Sequence, residues 1–176
     1  MKIEQLVKTF VDDSKFFLKE AKSHSNNYPL SLRFIKATII CSWCALEGWL
    51  NCITYGFGTS LSNRQIELHE KAFLLEKKLK FNNGVWEIDK VDNFQKTENK
   101  ILFLLKRFGP HDIEKGGKLW FNFKKIEKIR NGLVHAKTGK LDIRDLTINN
   151  AELAIKTIIE IMKILNKNIF KSELRI

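Results

Sequence analysis

Between Ala37 and Asn63 the chain carries a single charge, Glu47. A stretch that long and that apolar has two homes, the hydrocarbon of a bilayer or the middle of a helical bundle. Ser42, Cys44, Glu47, Asn51, Thr54, Gly56 and Gly58 interrupt it, and such residues are costly in lipid. The stretch therefore predicts one long buried helix, around which the rest of the chain must pack, and no membrane span.

The partners of that helix are legible from apolar spacing. Ile3, Leu6, Val7, Phe10, Phe17 and Leu18 form one stripe of a first helix reaching Ala21. Asn26, Asn27 and Pro29 break the chain, and Ser31 is the expected N-cap of the long helix, which runs to about Gly56 and Gly58. An amphipathic helix is expected from about Asn63 to Lys80, ending at Asn82-Asn83-Gly84, with Lys77-Lys78-Leu79-Lys80 as its solvated end. Val85 to Asn93 reads as a short extended piece. Further helices follow from Thr97 to Arg107, from after a Gly116-Gly117 linker to about Ala136, and from about Asn149 or Asn150 to Asn168. With nine glycines and two prolines in 176 residues, little interrupts them. The expectation is a single all-α domain, a bundle of five to six helices.

Three cysteines, Cys41, Cys44 and Cys52, do not make a secreted disulfide framework, so a reducing, cytoplasmic setting is expected. Cys41-Ser-Trp-Cys44 is a C-x-x-C inside the apolar helix with no second pair, which favours packed core cysteines over zinc or redox use. His24, His69 and His111 lie in polar or loop contexts and read as surface residues. Trp120, Phe121 and Phe123 read as core side chains rather than base-stacking ones.

The segment Ile129 to Lys137 reads Ile-Arg-Asn-Gly-Leu-Val-His-Ala-Lys. It sets a permanent cation (Arg130), an amide (Asn131) and an acid/base (His135) within about one and a half helical turns. Leu119, Phe123, Ile126, Arg130 and Leu133 share one helix face, so Arg130 falls in an otherwise apolar stripe. A guanidinium there needs an anionic partner or a cleft. The natural partner is Glu47, the lone acid of the long helix, with Asn51 one turn later. The next stripe, Lys124, Lys128, Asn131 and His135, is entirely polar. Arg130 and His135 are about 140° apart around the axis, close enough to touch one ligand at the helix edge. Gly132, costly within a helix, is expected to let a ligand or another helix approach the backbone. Each residue also has a structural reading: Arg130 as a buried ion pair, and His135 as a residue favoured at a helix C-terminus.

Charge gathers around this segment. Between Lys115 and Arg144 lie nine basic residues, Lys124, Lys128, Lys137 and Lys140 among them, against Glu127 and Asp142, so that net +7 of the chain's +11 sits here. Such a surface is suited to a polyanion.

The Arg130-Asn131-x-x-x-His135 pattern resembles the R-x4-6-H signature of the HEPN superfamily, including the polar residue after the arginine. The context is similar too: a late helix of an all-α domain, a polar loop from Lys140 to Asn150, and a closing amphipathic helix. Glu47 resembles a polar position recurrent in the second long helix of such domains. The resemblance implies a dimeric, metal-independent RNase of toxin–antitoxin, phage-defence or RNA-processing systems, with Arg130 and His135 as catalytic pair and Asn131 in support. It also implies an antitoxin as a possible protein partner. One branch carries a tyrosine two residues after the histidine, where this chain has Lys137.

The chemistry implied needs no metal and no cofactor. RNA supplies its own nucleophile, the 2′-OH, and cleavage to a 2′,3′-cyclic phosphate requires a base, an acid and a cation for the phosphorane. One His135 cannot easily serve both ends of the displacement. A two-fold dimer would supply two, with Gly132 near the axis and Lys124, Lys128, Lys137 and Lys140 on the RNA. The alternative is a non-catalytic module of the same type that binds RNA, nucleotide or a protein.

Overall fold

The computed structural model describes residues 3–62, 65–110, 113–135, 142–172 and 174. Within them six α-helices and one β-hairpin occur in the order α1 (Ile3–Ser23), α2 (Tyr28–Ser60), α3 (Leu68–Leu74), β1 (Lys77–Asn82), β2 (Val85–Asp92), α4 (Thr97–Phe108), α5 (Lys118–Val134) and α6 (Ile148–Phe170). The all-α bundle expected from the sequence is the observed architecture. The long apolar stretch is its central helix, and α2 packs against all five others. By length and composition α2 could also cross a bilayer. Here its Ile39, Trp43, Leu46 and Leu50 form the middle of the core with Phe123 and Ile126 of α5, Ile101 and Leu104 of α4, and Ile158 and Ile161 of α6.

Two details of α2 differ from expectation. Its N-cap is Asn27, whose Oδ1 accepts from the Leu30 N–H at 3.3 Å, and Pro29 lies in its first turn. Proline belongs there because it has no N–H to leave unpaired and its φ is already helical. Ser31 is instead buried and donates to the Ala21 carbonyl at 2.9 Å, tying the end of α1 to the start of α2. Nor does glycine stop the helix, since the C-cap is Leu61. Gly58 is a packing residue: a Cβ there would meet Leu75 Cδ2 at 2.7 Å.

The larger correction lies between residues 63 and 82. The expected helix is only Leu68–Leu74, and the chain then reverses into a two-stranded antiparallel hairpin pairing Leu79 with Ile88 and Phe81 with Trp86. Its turn is Asn83-Gly84, with φ of 49° and 82°, the left-handed pair that a tight hairpin demands and that Asn-Gly satisfies. Lys77, Lys78 and Lys80 thus lie on a strand, not a helix end. Glu76, at the junction of α3 and β1, also has a positive φ of 53°, a strained conformation for a residue with a side chain.

Smaller outcomes follow. Trp120 and Phe123 are core residues, whereas Phe121 is exposed. Cys41, Cys44 and Cys52 are half-buried free thiols. His69 is at the surface, His24 is half-buried with its ring 5.6 Å from that of Phe34, and His111 lies outside the described residues.

Candidate active site

Helix α5 starts at Lys118 with Gly117 as N-cap and ends at Val134, with His135 as C-cap. Its buried face carries Trp120, Phe123, Ile126, Ile129 and Gly132. Arg130 sits at the border of that face, where α5 meets α2. Its side chain is 21% exposed, and its Nη2 donates to Glu47 Oε2 at 3.1 Å. Nη1 donates to Asn131 Oδ1 at 3.0 Å. Below it lies the Trp43 ring, with the guanidinium carbon 5.7 Å from the ring centroid, within cation–π range. Trp43 is in turn stacked on Phe123, centroids 5.4 Å apart. A carboxylate, an amide and an aromatic face thus fix where the guanidinium points.

Glu47 is held as firmly. Its Oε1 accepts from the Thr97 hydroxyl at 3.2 Å. Thr97 opens α4, so the carboxylate also lies at the positive end of that helix dipole. Both halves of the expected Arg130–Glu47 pair are therefore satisfied. A pair at this border escapes the full desolvation cost of a deep one. The guanidinium has five N–H donors, and among the described residues only Glu47 and Asn131 accept from it. The other donors are left for a ligand.

His135 is exposed, and its backbone N–H donates to the Asn131 carbonyl at 2.9 Å. It lies about 7.5 Å along the axis from Arg130 by helical rise. Its imidazole has no partner among the described residues, so it is open to a ligand. Asn131 is exposed as well, and Gly132 is buried with the core face of α5.

The cationic residues are less uniform than expected. Lys124 donates to Glu98 Oε2 at 2.7 Å and also pairs with Glu127. Burial would lower its ammonium, but the bonds to Glu127 and Glu98 outweigh that and leave it raised. Lys124 is thus part of an ion-pair network between α4 and α5. Lys128 is exposed. Arg144 is bound to Asp142, whose carboxyl it pulls down to about 2. Lys137 and Lys140 lie outside the described residues.

Asn51 does not reach Arg130. Its Oδ1 accepts from Lys100 Nζ at 2.6 Å, and Lys100 also pairs with Glu76 at 2.8 Å. Lys100, Glu76 and Thr97 were not anticipated. Lys100 nevertheless carries the signal that singled out Arg130, a cation on the buried Thr97, Ile101, Leu104 and Leu105 stripe of its helix.

The C-x-x-C carries no sign of reactivity. Burial pushes the Cys41 and Cys44 thiols up, and Glu47 adds to this at Cys44 while Arg130 opposes it. Thiols so shifted are poor nucleophiles at neutral pH. Among the described residues no group of three or more His, Cys, Asp or Glu side chains could hold a metal ion. Comparison with protein-family models, with curated proteins and with solved structures gave no match.

Proposed function

We propose that this chain is a metal-independent endoribonuclease of the HEPN type, working in the cytoplasm as a toxin, defence or RNA-processing effector. The observation that carries this reading is the mounting of Arg130. Glu47, Asn131 and Trp43 fix the guanidinium at the edge of α5, with donors left for an anion, and His135 is open one and a half turns further on.

In the reaction so assigned, a phosphodiester of RNA lies against Arg130. The 2′-oxygen bonds to phosphorus and gives its proton to a neutral His135. The P–O5′ bond breaks, and the 5′-oxygen takes a proton from a second, protonated His135. The products are a 2′,3′-cyclic phosphate and a 5′-OH. Arg130 balances the charge of the phosphorane, where preorganised donors contribute most. The second histidine comes from the other subunit of a homodimer; in a toxin role, the enzyme's protein partner would be an antitoxin.

A second reading has its own support. Arg130 is bonded to Glu47 and Asn131 within the chain, as a purely structural ion pair would be. On that reading the domain binds RNA, nucleotide or a protein without cleaving. Wild type and His135→Ala, expressed side by side in cells, separate the two. The nuclease reading expects growth arrest and RNA fragments with cyclic-phosphate ends from wild type alone. Intact RNA with both proteins would favour the binding module, and equal fragments from both would contradict the role given to His135.

A further inference from the structure

A cavity of about 240 Å³ opens beside the Arg130–Glu47 pair, with Glu47 as part of its wall. Lys100, Asn51, Glu76, Gln95 and Phe94 also line it, beside Leu50 and Thr97. Helix α2 supplies Glu47 and Asn51, α4 supplies Lys100, and the two ends of the hairpin supply Glu76 on one side and Phe94 and Gln95 on the other.

The polar groups are more elaborate than a structural bridge requires. Lys100 is 5% exposed, and burying an ammonium is costly even when it is paired. It has three N–H donors, and Asn51 and Glu76 take two of them. Glu76 is strained at a φ of 53° and yet pinned. Its carbonyl accepts from the Asn93 N–H at 2.7 Å, and its Oε1 accepts from the Gln95 N–H at 2.7 Å and from Lys100. Strain so thoroughly held in place is a mark of a functional site. Among the described residues, Glu76 Oε2 and the Asn51 amide N–H groups have no partner. A cation with a donor in reserve therefore stands beside a carboxylate with an acceptor in reserve. At the rim, the Phe94 ring is 81% exposed.

We infer that this cavity receives one unpaired nucleobase of the RNA strand whose phosphate lies on Arg130. The inference rests on the ribonuclease reading. Adjacent donor and acceptor atoms are what a base edge offers, and Lys100 with Glu76 presents their complement. An exposed aromatic ring at the mouth stacks on a base face whatever its identity. Glu47 joins the two places physically, since one of its oxygens holds Arg130 and the other holds Thr97 at the cavity wall. The cavity would thus set which base flanks the cut, and a base already paired in a duplex could not enter it.

The test is digestion of a randomised single-stranded RNA by wild type, Glu76→Gln and Phe94→Ala, with the cleaved ends sequenced. Wild type is expected to favour one base at one position beside the cut. Glu76→Gln should reduce that preference about tenfold by weakening the edge contact. Phe94→Ala, which removes only an exposed ring, should raise KM about tenfold through lost stacking. Cleavage without base preference, or a preference and KM unchanged in both variants, would overturn the inference and leave the ribonuclease reading standing. If wild type cuts nothing, that reading fails, and calorimetric titration with each of the four nucleoside monophosphates decides the cavity by itself. Binding of one of them, weakened in both variants, would assign the cavity to a free nucleotide. No binding of any would overturn it.

Discussion

Glu47 and Arg130 stand 83 positions apart in the chain, and a hydrogen bond of 3.1 Å joins them where α2 meets α5. Each is a charge on a helix whose fully buried residues are all uncharged. Each offsets part of the other's desolvation at this border. The same contact orients the guanidinium, so one pair serves both packing and site geometry.

The coupling of this pair is measurable. A double-mutant cycle of Glu47→Ala and Arg130→Ala in urea denaturation should give an interaction energy of about 1 kcal/mol, well below that of a fully buried pair because both groups touch solvent. Additive losses would show that the pair contributes nothing beyond its two side chains.

Lys100 should be the more sensitive position. Lys100→Met keeps the length and apolar stem of the side chain but leaves Glu76 without its cation in a half-buried place. A loss of about 2–3 kcal/mol is expected in the same measurement. A stability equal to wild type would mean that Glu76 recovers enough hydration to do without the lysine.

How much of this was legible in the sequence follows from what each signal reports. The Arg130–Glu47 pair was readable because a lone charge in an apolar helix demands a partner, and there were few candidates. Lys100 meets the same criterion on α4, but in a lysine-rich chain one more lysine is a weak signal. The hairpin was misread because the apolar spacing of α3 runs on through Leu75 and Leu79. The competing signal was present in the alternation of Leu79 and Phe81 before Asn83-Gly84. The charge count around α5 overstated its basic surface for a different reason. It saw acids only within the segment, whereas Glu98 and Glu47 arrive from α4 and α2.

The hairpin turn gives a prediction free of packing effects. A Cβ on Gly84 would meet nothing within 4 Å, yet its φ is 82°. Gly84→Ala should therefore cost about 1 kcal/mol through backbone strain alone. Amide exchange in β1 and β2 should quicken about fivefold, with α2 unaffected. Unchanged hairpin exchange would contradict the left-handed turn.

Acid sensitivity has a source in Glu70, which links α3 to α4. Burial would raise its carboxyl, but bonds from the Glu67 N–H and from Arg107, at 2.9 and 2.7 Å, outweigh that and hold it below its ordinary 4.5. The folded chain thus takes up this proton less readily than the unfolded chain. The stabilisation is complete above the unfolded value and fades as pH falls through the folded one. Glu70→Gln should flatten the loss of stability between about pH 5 and pH 3. Parallel curves for the two proteins would remove Glu70 as a contributor.

The central claim concerns His135, an exposed C-cap residue whose replacement leaves the core untouched. The decisive measurement is the rate at which purified wild type and His135→Ala cut single-stranded RNA in excess EDTA, with circular dichroism confirming equal helix content. The account predicts cleavage to 2′,3′-cyclic phosphate ends by wild type and a loss of at least about a hundredfold in the variant. Equal rates in the two proteins, or cleavage that EDTA abolishes, would contradict it.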